Sequence, residues 1–279
     1  MSETAKRLER ADKFLQKGKL PAALEEFRAI LSDEPGNDMV RQRAADLCLS
    51  LSLGDDAAAY LAELFEHMVA QGRSAEAIST YKKLARLGPP SADRTYKYAQ
   101  LVERSSPRES LESYNSVFLT FLHNGDRDLA MAALKRIVAL DPSLENHRRE
   151  AELAESMGDN IGSALAFFKV GQMEESAGHN GSQMYARAYS LDPANEAAAL
   201  AHARCLLRDG SAQEAVLVLG GLSLNTPDYL QTYANALLLA GQTQAAEPIA
   251  IRLYTLAPYG LSVAGEILDD VIVGDEVFA

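Results

Sequence analysis

The chain has no tryptophan, only two cysteines, and too little base for its acid: 27 Lys and Arg against 39 Asp and Glu, a formal charge of −12. The shortage of base argues against a nucleic-acid partner, which demands clustered Lys and Arg along its phosphates. It equally disfavours adsorption to anionic lipid. Long apolar runs are missing as well. The most apolar stretches, 215–222 and 233–240, fall far short of the ~18 residues of a membrane span, so no membrane insertion is expected. The first ten residues are charged and lack the apolar core of a signal peptide. Cys48 and Cys205 each sit among apolar neighbours in helical patterns. They read as small buried hydrophobes in a reducing compartment, and a cytoplasmic location is the default.

The signatures of catalysis are also lacking. His67, His123, His147, His179 and His202 have no neighbouring ligands at metal spacing, and neither CxxC nor HExxH occurs. No strand pattern exists for a phosphate loop to follow. The acidic residues fall on helices of 3.6-residue period, where they read as solvated faces. The expectation is a non-enzyme without cofactor or metal.

What is present is one helical hairpin, repeated. The stretch from Leu15 to Pro35 reads as a helix end, a turn at Gly18, a second helix with Leu20, Ala23, Leu24, Phe27, Ile30 and Leu31 on one face, and a stop at Pro35. Five more stretches, ending at Pro89, Pro142, Pro193, Pro227 and Pro258, repeat it. The prolines at 35, 89, 142 and 193 lie 54, 53 and 51 residues apart, and the turn glycines at 18, 72 and 125 lie 54 and 53 apart. A further helix follows each early hairpin, marked by Ala45 and Leu47, Ala99 and Leu101, and Ala151 and Leu153. After Pro193 the steps shorten to 34 and 31. Residues 1–160 therefore read as three-helix repeats and 161–268 as two-helix repeats with a capping helix, followed by an acidic-apolar tail at 269–279. The third helix is expected over 37–53. Ser106 and Ser211 are expected to cap the helices that follow them, and Gly171, Gly178 and Gly181 to make a loose turn.

A chain built from one repeated hairpin is a solenoid. Laid out in this way, the pattern resembles the tetratricopeptide repeat family. Its small, aromatic, glycine, alanine, aromatic and proline positions are met by Ala11, Phe14, Gly18, Ala23, Phe27 and Pro35. They are met again by Ala203, Leu206, Gly210, Ala215, Leu219 and Pro227, and by Ala234, Leu237, Gly241, Ala246, Ala250 and Pro258. The resemblance implies an all-α, right-handed superhelix of about 15–16 helices, acting as a scaffold or adaptor that holds a protein or peptide partner on a concave groove.

Carried onto the last two units, the groove positions are Ala197, Leu200, Arg204 and Leu207, then Asp228, Gln231, Asn235 and Leu238, with Arg208 adjoining. Arg204, Arg208, Gln231 and Asn235 are the candidate partner-binding residues, able to hold a carboxylate or a peptide backbone. The family's peptide-carboxylate clamp needs Lys and Asn matched over three successive repeats. Asn115 and Asn235 stand alone, so that ligand is disfavoured. Tyr114, Phe118, Phe121, Phe167 and Phe168 read as core. The rival readings are a self-assembling structural element and the repeat region of a larger regulatory protein.

Overall fold

The computed structural model describes residues 2–256. The expected capping helix, the acidic tail and Pro258 lie outside them. Within the described residues the chain is all helix and turn, with no strand. It divides into two compact units, Met1–Asp141 and Pro142–Ala279. The first holds α1 (Glu3–Gln16), α2 (Leu20–Asp33), α3 (Asp38–Ser50), α4 (Gly54–Ala70), α5 (Ser74–Leu87), α6 (Ala92–Val102), α7 (Pro107–Asn124) and α8 (Arg127–Leu140). The second holds α9 (Leu144–Ser156), α10 (Asn160–Ser176), α11 (Ser182–Leu191), α12 (Glu196–Arg208), α13 (Ala212–Gly220), α14 (Pro227–Leu239) and α15 (Thr243–Leu256). Within each unit a helix packs chiefly on its neighbours in sequence, which makes each unit a helical stack.

Two kinds of joint recur. Helices α3, α6, α9, α12 and α14 are each closed at their start by a side chain. Asn37, Ser91, Ser143, Asn195 and Thr226 accept the backbone N–H of Val40, Arg94, Asn146, Ala198 and Tyr229 respectively. The other joints are left-handed turns, except the one between α6 and α7, which has neither a positive φ nor a capping side chain. Gly158, at φ 78°, donates its N–H to the carbonyl of Glu155 at 2.9 Å, and the N–H of Asp159 reaches back to Ala154 at 3.0 Å. This paired closure fits glycine, which enters positive φ without a Cβ penalty.

Ser52 makes the same turn at the end of α3. Its φ is 60°, its N–H meets Leu49 at 3.1 Å, and that of Leu53 meets Cys48 at 2.8 Å. This is why α3 stops at Ser50 rather than continuing to residue 53. Serine pays the Cβ penalty that Gly158 avoids, so Ser52→Gly is expected to stabilise the first unit by about 1 kcal/mol. A urea midpoint that does not rise would count against it.

Two expected caps are not made. The side chains of Ser106 and Ser211 cap nothing. At α7 the first-turn Glu109 instead accepts the Tyr98 hydroxyl and pairs with Lys82 at 3.2 Å, tying α7 to α6 and α5. Gly171 and Gly181 are not a loose turn either. Gly171 lies buried inside α10, where a Cβ would come 2.7 Å from the Tyr185 ring. A Cβ on Gly181 would come 2.6 Å from the carbonyl oxygen of Gly171. Both glycines let α10 and α11 approach, and Gly178 alone supplies the left-handed turn, at φ 78°.

The cores follow the repeat. Ala11, Ala23, Ala203, Ala215, Ala234, Ala246 and Ala250 are fully buried where helix backbones meet, with Phe27 and Leu219 filling the turn beyond. The extra helices α3, α6 and α9 meet the following helix through small side chains. Ala45 and Ala57 are both fully buried. At the equivalent places the Ser110 hydroxyl donates to the carbonyl of Ala99 at 2.8 Å, and that of Ser163 to Ala151 at 2.9 Å. Tyr114, Phe118, Phe121 and Phe167 are core as expected. Cys48 and Cys205 are buried and free.

Candidate partner-binding site

The second unit carries a groove built on α10, α11 and α12, enclosing 470 Å³. From α10 it takes Phe168, Gln172 and Glu175; from α11, Tyr185. The floor is α12, where Ala197, Leu200 and Ala201 keep the surface low and apolar, Cys205 lies beneath, and Arg204 and Arg208 stand at the rim. Gln172, Glu175 and Tyr185 also border a more open hollow of 710 Å³ reached by Lys169 and Met173.

Tyr185 organises this wall. Its ring seats against Gly171, lies 5.6 Å from Phe168, and its hydroxyl donates to Glu175 at 3.0 Å. Burial first, and the Glu175 carboxylate second, push its phenol well above the usual range, so it remains a hydrogen-bond donor.

The four candidate residues do not share one surface equally. Arg204 and Arg208 line the groove, one helical turn apart. Gln231 and Asn235 stand exposed on α14, outside that lining. Arg204 is linked to α14 all the same, through an ion pair with Asp228, one turn before Gln231. Arg208 donates to Asn180 and Ser182, each at 2.9 Å, and lies 3.6 Å from Glu175. The two guanidiniums are therefore already partnered by acids of neighbouring helices, a pairing that position in the sequence does not reveal. Phe168, expected in the core, is instead half-buried and lines the groove, and the contribution of Tyr185 was missed. The one signal of this wall is that α10 carries apolar residues on both faces.

On the far side of α12, 200° from Arg204, His202 lies 5.5 Å from the Tyr189 ring with its Nδ1 buried and unpartnered. Burial holds its pKa below the ordinary 6.5, with Glu214 of α13 partly opposing. Well above 6.5 the ring is neutral whether the unit is folded or not. As pH falls through 6.5 the unfolded chain takes up a proton that the folded unit resists, so the second unit loses stability. His202→Gln is expected to flatten that decline between about pH 7 and 5. An unchanged pH dependence of its urea midpoint would refute the assignment.

No family model matches the sequence, and no curated protein matches it. Among solved structures the chain is similar to the tetratricopeptide repeat domain of P58(IPK), at 15% identity over 97% of each chain with a TM-score of 0.29. It is similar also to a tetratricopeptide repeat protein from Parabacteroides merdae, at 16% identity over 96% of this chain and 98% of that one, TM-score 0.26. PilW, a type IV pilus biogenesis factor, shows 16% identity over 96% of this chain and all of its own, TM-score 0.30. At such scores the hairpins themselves carry the fold: buried alanines at each crossing, left-handed glycines at 18, 210 and 241, and capped helices after the prolines. The chain is an all-α, tetratricopeptide-like helical solenoid.

Proposed function

We propose that this chain is a non-catalytic scaffold that holds a protein partner in the groove of its second unit, in a reducing compartment such as the cytoplasm. The observation that carries this is the groove itself: a low apolar floor of Ala197, Leu200 and Ala201 with Phe168 beside it, and a rim of two guanidiniums. Apolar floors bordered by a few oriented polar groups suit a peptide segment, which needs area for its side chains and donors for its carbonyls and carboxylates. Gln231 and Asn235 stand exposed on α14, the helix whose Asp228 pairs with Arg204. Among the described residues no cluster of three metal-ligating side chains accompanies the groove.

The test places a photo-crosslinking residue at Ala201, on the groove floor, or at Ser190, exposed on α11, in native cells. One discrete protein adduct is expected from position 201 and none from 190, with loss of the adduct in an Arg204→Glu/Asn235→Ala variant of confirmed helicity. The same adducts from both positions, or none from 201, would overturn the reading. An adduct with a second copy of this chain would make the groove a self-assembly surface instead.

A further inference from the structure

Helix α10 is apolar on two faces. Ala164, Phe167 and Val170 pack into the core of the second unit. A second stripe, Ile161, Leu165 and Phe168, recurs at i, i+4 and i+7; Ile161 is 65% and Leu165 55% exposed, and Phe168 is half-buried against Tyr185 at the groove. A second apolar stripe on a helix is ordinarily covered, yet Ile161 and Leu165 stand open. The line of the stripe continues through Gln172 and Glu175 into the groove, so apolar ridge and charged rim form one surface.

The surface is polarised. Its apolar end is Ile161 and Leu165. At its other end Arg204 pairs with Asp228, while Arg208 and, across the adjoining hollow, Lys169 border Glu175: three cations against two acids in a chain whose formal charge is −12. Arg204 and Arg208 remain 47% and 52% exposed. A guanidinium offers five N–H donors, and Arg204 commits only Nη2 to Asp228.

Building on the scaffold reading, we infer that this face takes an amphipathic helix of a protein partner, its apolar stripe on Ile161, Leu165 and Phe168 and its acidic end between Arg204 and Arg208. A helix fits because the ridge repeats at helical spacing, the pattern that helix-on-helix packing interlocks. From Ile161 to Glu175 the ridge runs about 21 Å, four turns of a partner helix. An acidic end fits because it adds acceptors for the guanidinium donors left over; a basic end would compete with Arg204 and Arg208 for Asp228 and Glu175.

The test uses the full chain and three synthetic helical peptides. Each carries leucines along one face; they differ in ending on aspartates, asparagines or lysines. Binding is read by anisotropy of the labelled peptide and by slowed alkylation of Cys205 beneath the groove, with Cys48, fully buried in the first unit, as internal reference. The aspartate peptide is expected to bind saturably and to slow Cys205 alkylation. Leu165→Asp and Arg208→Glu, both changes at exposed positions, are each expected to weaken it about tenfold, and Asp228→Asn to tighten it severalfold by releasing Arg204. Equal or tighter binding of the asparagine or lysine peptide, no saturable binding, or indifference to Leu165→Asp would overturn the inference. A crosslinked partner at position 201 that survives Leu165→Asp would do so too, while leaving the scaffold reading in place.

Discussion

Phe27→Asp is expected to unfold the amino-terminal hairpins while α10 to α15 keep their protection from hydrogen exchange. Phe27 is 1% exposed and packs among Ala23, Leu24, Ile30, Val40 and Leu47, a cluster drawn from α1 to α4. Losing the ring costs about 3–5 kcal/mol. A carboxylate in its place is buried against alkyl groups and adds several more. The Arg43 guanidinium, 4.8 Å above the ring, offers the new charge little, since it already pairs with Asp12. The total rivals the whole stability of an ordinary domain. Stacked repeats are stabilised by neighbour contacts, so the damage should follow the cluster. Exchange mapped by mass spectrometry would show it across 3–70. A single sharp transition that removes all helicity would contradict the prediction.

Arg41→Ala should come next in size, at about 3–5 kcal/mol. Arg41 is 3% exposed, on α3, and its guanidinium joins four groups. It donates to the carbonyl of Pro35 in the loop after α2, to Glu63 of α4 at 3.0 Å and to Asp38 at 3.4 Å, and lies 3.2 Å from Nδ1 of His67. Asp38 in turn accepts from Arg73, at the start of α5, at 2.9 Å. One side chain thus fastens the α2–α3 loop to α4 and, through Asp38, to α5. Truncation leaves the Pro35 carbonyl without its donor and a largely buried carboxylate short of one cation. The Arg41→Ala/Asp38→Ala double variant should cost less than the sum of the singles, because the Arg41–Asp38 contact is lost in either single and counted only once in the double. Additive urea midpoints would show that the network is not cooperative.

The fold was legible because its determinants are local. Apolar residues at i, i+3, i+4 and i+7 place a helix face without knowledge of what covers it, and a glycine turn or a proline stop is a property of one residue. Ala23, Phe27, Ala215 and Leu219 could be placed in the core on those grounds, and they are there. What escaped is what depends on contact across the stack. Gly171 and Gly181 resemble flexible spacers in sequence, yet each is fixed by the other and by Tyr185. Ser106 has the residues of a capping box, but Glu109 is drawn away by Tyr98. Asp38, Arg41, His67 and Arg73 are spread over 36 positions and look like separate surface charges until three helices bring them together. At the groove, the positions of Arg204 and Arg208 were readable from the repeat. Their pairing with Asp228 and Glu175 was not, nor was the wall of Phe168 and Tyr185.

The helices α4, α7 and α10 begin at residues 54, 107 and 160, two equal steps of 53. Removing residues 54–106 would join Leu53 directly to Pro107, so that α7 would follow the Ser52 turn in the register now held by α4. Ser110 would then take the place of Ala57, twelve residues beyond Ala45, the same separation at which Ser163 meets Ala151. The joint between the extra helix and its successor is thus interchangeable between modules. Such a chain grows or shrinks by whole modules, through duplication or loss of one coding segment, and each new junction inherits a contact that already works elsewhere in the stack.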